Sequence, residues 1–419
     1  MIEIGPMPAA EPADGPRLTE RHVLALGLGI SAAFVAAAAA VAIVAIVNDG
    51  NFWATIHLAL AGAATVAIGA FMPHFAVTLA GTRPAAPVER LAALGLLAVG
   101  ASGAVVGVTI IGGPMAAAGS LAVAAGLLLV AWHTFAPLRD PLARRHHVVA
   151  LAYGVALLEL AAGVVLGCLG ALGVPAVVSA WATLRPAHAW LSLFGAVSLT
   201  IFGTLVYLAP TVLGARIRAG AGLFAGSAGM LVGPPLTVLG FVLDATPIVI
   251  AGMAVTLGGA IGQVAYVLDA HRRRGPFTSE HDWRRVAVEH LTAGTLWFAA
   301  AVAAALVQLL AGKAVAGWSL GSLAIPLVAG WMLQELVGSW THLAPSVTPG
   351  TAASHAAQRR ILAVASRSRL AAWNVGVGLA WLGLGLDAAA PAAVGLVLLA
   401  AAVLGSVVLI VRALTRAPY

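Results

Sequence analysis

The sequence predicts an all-α polytopic membrane protein of about twelve transmembrane helices. Three observations lead to this prediction: a very apolar composition, apolar runs that recur along the whole chain, and basic residues confined to alternate loops. Of the 419 residues, 61% are hydrophobic and only 9% are charged, and the mean hydropathy is +1.00. Because a soluble domain carries about 25% charged residues, this chain lacks the charge to cover a surface in water.

The apolar runs are each long enough to cross a membrane, since about 18 such residues span a hydrocarbon core of about 30 Å. The predicted spans are 23–47, 53–80, 91–112, 115–137, 148–172, 187–213, 223–244, 247–269, 287–311, 317–343, 370–387 and 391–412. No interval between them is long enough for a separate soluble domain. We therefore predict one membrane domain over 23–412, with a disordered cytoplasmic tail at 1–22 and a cytoplasmic tail at 413–419.

The basic residues test the number of spans, because cytoplasmic loops of membrane proteins are enriched in lysine and arginine. With a cytoplasmic N-terminus, 20 of the 22 basic residues fall on the inner side, and the two exceptions are Arg185 and Lys313. This placement indicates topology signals and argues against a nucleic-acid-binding surface. We expect a bacterial inner-membrane protein with both termini in the cytoplasm, and the sequence leaves its oligomeric state open.

One motif recurs in the chain. The sixth span ends in residues 203–212 and the tenth in residues 338–347, and both read G-[ST]-x-x-x-L-A-P-[ST]-V, 135 residues apart. A step of 134 residues back from Gly203 reaches Gly69 in the second span, where the match is looser. The pattern predicts three four-helix repeats, with the second, sixth and tenth spans in equivalent places around a pseudo-threefold axis.

Histidines inside the spans are the first candidates for chemistry, because ionisable groups in a bilayer are costly and often functional. His57 and His188 each lie about one turn inside the outer end of a span, before small residues that allow close approach. Imidazole ligates haem iron or copper, so both are candidate ligands; interfacial histidines are the alternative. His74 and His342, near the inner side, form a second set, and His74 is about 25 Å from His57 along the helix. The single cysteine, Cys168, excludes a cysteine-based metal site.

Two acids support a different hypothesis. Glu159 in the fifth span and Glu335 in the tenth suit a small-solute transporter or channel, with breaks at Pro234, Pro235 and Pro326 as in discontinuous transporter helices. The alternatives are protonated acids satisfied by neighbouring polar groups, and prolines that only kink their helices. A structural or assembly protein without a cofactor is the third class that the sequence leaves open.

Three stretches resemble the membrane region of bacterial proteins known as copper oxidases or copper nitrite-reductase-like proteins. These stretches are 57–68 with 74–75, 188–213 with 216–217, and 330–334 with 338 and 343–345. In many members the region is fused to a soluble cupredoxin domain. The resemblance implies haem b or copper as cofactor and a redox or cupredoxin partner outside the lipid bilayer.

At the level of the fold, the chain also resembles the catalytic subunit of haem–copper oxidases and nitric oxide reductases. That subunit has twelve helices in three arcs, with a haem-ligand histidine in helix 2 and a copper-ligand histidine in helix 6. His57 and His188 match those positions, which implies two neighbouring centres. The span 223–244 lacks the family's His-His pair, and the outer half of the tenth span lacks its haem-ligand histidine. The resemblance thus implies a degenerate haem- or copper-binding protein in electron transfer, nitrogen-oxide response or metal handling, without a complete oxygen-reducing centre.

Cysteine labelling tests the predicted topology. In a Cys168→Ala background, Gly275→Cys should be labelled by a membrane-impermeant thiol reagent only after the cells are opened, because residues 271–286 carry five arginines and should be cytoplasmic. The matched variant Asn51→Cys, in the turn 48–51, should be labelled on intact cells. Labelling of position 275 from outside would overturn the orientation.

Overall fold

The computed structural model describes residues 18–47, 52–139, 146–275, 282–312, 315, 318–348 and 350–415. In this part of the chain every regular element is a helix and no strand occurs. Residues 1–17 of the predicted tail 1–22, the turn 48–51, Lys313 and the last four residues lie outside the described ranges. The prediction of an all-helical chain is confirmed for the residues described.

Twelve long helices, numbered here in chain order, follow one another with short connections. They are α1 Glu20–Val47, α2 Trp53–Ala80, α3 Pro87–Ile111, α4 Gly113–Leu138, α5 His147–Ala171, α6 Trp181–Leu213, α7 Ala221–Val242, α8 Thr246–Arg272, α9 Asp282–Leu310, α10 Gly321–Ser346, α11 Ser366–Gly385 and α12 Ala389–Thr415. Shorter helices cover Pro175–Ser179 and Ala352–Leu362. Among the described residues, all of these long helices except α11 are long and apolar enough to cross a membrane, which makes eleven candidate spans. The chain is therefore a multi-pass α-helical membrane protein.

Three helices form the centre of the bundle. In the most apolar windows of α2, α6 and α10, 67%, 72% and 78% of the residues are buried, whereas the other candidate spans bury between 33% and 44%. The peripheral helices direct large apolar side chains outward, as at Ile110 and Leu128, which are 79% and 73% exposed. An outward apolar surface of this kind suits lipid and not water.

The same three helices depart from α geometry at corresponding places. A π-helical segment occupies Leu58–Ala64 in α2, Trp190–Val197 in α6 and Ile325–Met332 in α10. A fourth π segment, Gly107–Ile111, ends α3. π-helical segments are rare, and they are frequent at functional sites.

Hydroxyl groups add a second hydrogen bond to two carbonyls of these segments, which also accept from the backbone N–H groups of Thr65 and Ser198. Thr65 Oγ1 donates to the Leu60 carbonyl at 3.0 Å, and Ser198 Oγ donates to the Leu193 carbonyl at 2.8 Å. Both hydroxyls belong to the first residue after a π segment. Trp331 Nε1 in turn donates to Ser198 Oγ at 3.0 Å, which ties α10 to α6.

Glycine allows α7 and α8 to approach each other closely. A Cβ added at Gly259 would lie 2.8 Å from the Met230 backbone nitrogen and 3.0 Å from the Gly229 Cα. A Cβ at the adjacent Gly258 would meet nothing within 4 Å. The helices therefore pack through small residues, as is common for helices that associate in membranes.

This contact predicts opposite results for two neighbouring glycines. Gly259→Ala should lower the apparent melting temperature in detergent, because overpacking of this kind costs about 1–3 kcal/mol. Gly258→Ala should leave it unchanged or raise it, because alanine is favoured over glycine in a helix by about 1 kcal/mol. Equal melting temperatures for the two variants would show that the close approach is wrong.

Candidate functional site

Two of the predicted ligand residues lie together at one end of the bundle. The rings of His57 in α2 and His188 in α6 have centroids 6.3 Å apart, and their planes differ by 10°. His57 immediately precedes the π segment of α2, and one residue separates His188 from the π segment of α6. The structure therefore brings the two histidines to one place, where the resemblance implied two neighbouring centres.

Backbone carbonyls hold both rings in one orientation. His57 Nδ1 lies 2.8 Å from the Trp53 carbonyl oxygen, and His188 Nδ1 lies 2.9 Å from the Gly163 carbonyl oxygen. A carbonyl oxygen only accepts hydrogen bonds, so each Nδ1 carries the proton and each Nε2 keeps its lone pair. A ligand histidine commonly donates its other ring nitrogen to a backbone carbonyl in this way.

The surroundings of the pair restrict its movement. The Trp53 ring stacks on His57 with centroids 3.8 Å apart and an angle of 20°. A Cβ added at Gly167 of α5 would lie 3.1 Å from His188 Cε1, so the missing side chain leaves space for the imidazole. Both rings are half-buried.

The donor set fits a metal that takes few protein ligands. The 6.3 Å between the ring centroids is longer than two metal–nitrogen bonds of about 2.0–2.1 Å each, so this distance is compatible with a shared ion. In the described part of the chain, no group of three or more His, Cys, Asp or Glu residues has the geometry of a metal site. Imidazole suits copper and iron, and a haem iron needs only axial ligands from the protein.

Glu159 lies one helical turn from the carbonyl that holds His188. It is 6% exposed, and neither carboxyl oxygen has a hydrogen-bond partner among the described residues. Its carboxyl group packs against Gly195 in the π segment of α6, where an added Cβ would collide with it. Glu159 and Gly163, four residues apart, share one face of α5.

Equivalent glycines occur in the other two central helices. A Cβ at Gly62 in α2 would collide with the Phe34 ring of α1, and a Cβ at Gly330 in α10 would lie 2.8 Å from the Trp297 ring of α9. In α2, α6 and α10, each π segment thus has one glycine covered by a side chain of the preceding helix. Two of these side chains are aromatic rings, and Glu159 is the exception.

Glu335 faces a cavity at the centre of the bundle. The cavity measures about 80 Å³ and is lined by six residues each from α2, α6 and α10. Glu335 is 2% exposed and lies 3.2 Å from Thr295 Oγ1 through Oε1, while Oε2 has no partner in the described structure. The two buried acids therefore lie in different surroundings.

The inner histidines do not form a comparable pair. His74 Nδ1 lies 3.6 Å from Glu20 Oε1, and His133 Nε2 lies 3.5 Å from Glu89 Oε2. His290 is fully buried, with its ring 5.2 Å from that of Trp373. His74 and His133 thus each lie beside a carboxylate, and His290 lies beside an aromatic ring.

His342, the other member of the second set, lies two turns beyond Glu335 on α10.

The sequence singled out His57 and His188 but not the groups that orient them. One signal was readable, because Trp53 precedes His57 by four residues and therefore shares its helix face. The Gly163 carbonyl gave no sequence signal, because every residue has one.

No known protein-family model matches the chain, and no curated protein is significantly similar to it.

The position of Glu159 predicts a gain in stability when the acid is removed. Glu159→Leu should raise the apparent melting temperature in detergent, because a buried polar group without a partner costs about 1–3 kcal/mol. Glu159→Gln is the matched control and should give no comparable gain, since its amide meets the same apolar surroundings. A loss of stability in the leucine variant would indicate that the carboxyl group has partners in the folded protein.

Proposed function

We propose that this chain is a membrane metalloprotein in which His57 and His188 hold one haem iron or copper ion. The observation that supports it is the pair of nearly parallel imidazoles, 6.3 Å apart, each with Nδ1 bonded to a backbone carbonyl. In this arrangement the proton of each ring is on Nδ1, which leaves the two Nε2 atoms as neutral donors at one end of the bundle.

The proposed site lies near the outer surface of a bacterial inner membrane, with both termini in the cytoplasm. The positive-inside pattern of 20 basic residues supports this orientation. An outer site is accessible to a soluble electron carrier, and a cupredoxin-like partner fits the proposal.

In this proposal the fold is a haem–copper-oxidase-like assembly of three four-helix repeats. The cavity-lining residues of α2 start at Ala64, those of α6 at Val197 and those of α10 at Met332, and all three sets continue at +3, +4, +7, +8 and +11. The sets are 133 and 135 residues apart, and so are the glycines Gly62, Gly195 and Gly330 of the three π segments. The common spacing supports equivalent helices around one axis.

This spacing refines the repeat read from the sequence. It pairs Gly203 and Gly338 with Ala70, the neighbour of Gly69. In this spacing, His188 lies two residues before the position of α6 that corresponds to His57. The two rings therefore leave their helices in different directions. The pair is therefore a specific contact between α2 and α6 that the repeats do not impose.

A complete set of three repeats requires α11 as the twelfth span. Its length of 20 residues suffices for a crossing, although Arg367, Arg369 and Asn374 lower its hydropathy. Trp373 Nε1 donates to the Ala329 carbonyl at 2.8 Å, and Gly376 lies against the backbone of Leu399 in α12. These contacts with α10 and α12 support α11 as a member of the bundle.

The chain's own residues supply the geometry of the proposed site. His57 and His188 hold the metal, and the carbonyls of Trp53 and Gly163 fix the two rings. The Trp53 ring covers one face of His57. A bound haem iron or copper supplies one-electron chemistry, which suits electron transfer, a nitrogen-oxide response or metal handling.

The visible spectrum and the metal content test the proposal. Protein purified in mild detergent should contain haem or copper, and the spectrum of a haem should change between the oxidised and reduced forms. His57→Ala and His188→Ala should each lower the bound metal at least tenfold, because each removes one of two protein ligands. His74→Ala and His342→Ala, which lie towards the other end of the bundle, should keep the wild-type spectrum and metal content.

Two results would contradict the proposal. A well-folded wild-type protein without colour or metal would exclude a haem or copper function. Loss of metal in the His74 variant but not in the His57 variant would place the site at the other end of the bundle.

A further inference from the structure

We infer that the cavity between α2, α6 and α10 is a hydrated proton-binding site, with Glu335 as the group that carries the proton. The inference joins two observations: a cavity at the meeting point of the three central helices that Glu335 lines, and a carboxyl oxygen of Glu335 that has no partner among the described residues. It is independent of a metal at His57 and His188.

The cavity has space and polar groups for water. Its volume of about 80 Å³ exceeds the about 10–15 Å³ that one water molecule needs, so it has room for several. Its wall is mostly apolar, but Thr200, Thr204, Ser339 and Glu335 contribute oxygen atoms. In the common spacing of the three helices, Thr200 corresponds to Glu335 and Thr204 to Ser339, so the hydroxyls lie at two adjacent levels of the cavity.

Glu335 is the only ionisable residue of this cavity wall. From α9, Gly294 leaves space for the carboxyl group and Thr295 contacts Oε1, while Oε2 has no partner among the described residues. The neighbouring ionisable residue of α9 is His290, one turn earlier and against Gly338.

No counter-charge reaches Glu335 from the packed helices. The lining residues of α2 and α6 include no ionisable group, and the ion pairs of the described residues do not involve Glu335. On α10 itself the nearest ionisable residue is His342, about two turns away. A buried carboxylate without a counter-charge is costly, so the occupant that the site favours is a cation.

A proton fits this site better than a metal ion. Hard cations such as Ca²⁺ and Mg²⁺ take about six or more oxygen ligands, and the wall supplies one carboxyl group and three hydroxyls. One of the three hydroxyls already has protein hydrogen-bond partners: Thr204 Oγ1 donates to the Thr200 carbonyl at 2.9 Å and lies 2.9 Å from the Tyr153 hydroxyl. A proton needs one carboxyl oxygen and one water molecule. Hydronium in the cavity protonates the carboxylate and leaves water, and the reverse step returns the proton.

Infrared difference spectroscopy tests the inference. At neutral pH the wild-type protein should show the carbonyl stretching band of a protonated carboxyl group, and Glu335→Gln should remove it. Glu159→Gln is the matched control and should retain the band assigned to Glu335. Transfer to D₂O should shift the Glu335 band, because cavity water exchanges the proton. His57→Ala should leave the band unchanged, which separates this test from that of the metal site.

A variant that fills the cavity tests the role of water. Ala67→Leu, at the cavity level of Glu335, should slow the D₂O shift severalfold, whereas Ala118→Leu at an exposed position of α4 should not. The inference is wrong if no band depends on Glu335, or if that band fails to shift in D₂O. It is also wrong if the band appears only when sodium is removed, because Glu335 would then bind an alkali ion.

Discussion

The constraint on which this structure depends is that a backbone in hydrocarbon must find all its hydrogen bonds within the protein. Regular helices meet this requirement alone, and most of the bundle consists of them. The three central helices depart from α geometry, but the Leu60 and Leu193 carbonyls of their π segments still accept from the backbone N–H groups of Thr65 and Ser198. The hydroxyl groups of these two residues give the same carbonyls a second hydrogen bond.

The same departures create the places where chemistry is possible. A π segment shifts the side chains that follow it, and a glycine within each one admits a neighbouring helix at close range. In α2 and α10 the space over that glycine is filled by an aromatic ring, which suits an apolar core. In α6 it is filled by Glu159. A buried acid without a partner costs about 1–3 kcal/mol, so we expect Glu159 to lower stability at a position that suits a ring.

The two proposed sites lie at different depths along the axis of the bundle. The histidine pair lies at the start of α2 and α6, and the Glu335 cavity lies deeper, where α10 joins these two helices. α10 contributes no histidine to the outer pair, but it alone contributes a carboxyl group to the cavity. The three central helices therefore share one cavity but carry different polar groups at it.

The sequence by itself determined the membrane class, the all-helical architecture and the approximate position of each long helix. These features follow from composition and from apolar runs, which act locally along the chain. The recurring motif also singled out the second, sixth and tenth spans, and the depth of each histidine in its span suggested a candidate site. Such properties are readable because length and polarity are set by the bilayer itself.

Only the tertiary structure decided which of these residues meet. The contact between His57 and His188, the carbonyl of Gly163 beside His188, and the cavity beside Glu335 all join helices that are far apart in the chain. The π segments have no simple sequence signature, and they set the direction in which each side chain leaves its helix. A difference of one residue in register turns a helix by about 100°, so spacing along the sequence does not determine which groups face each other.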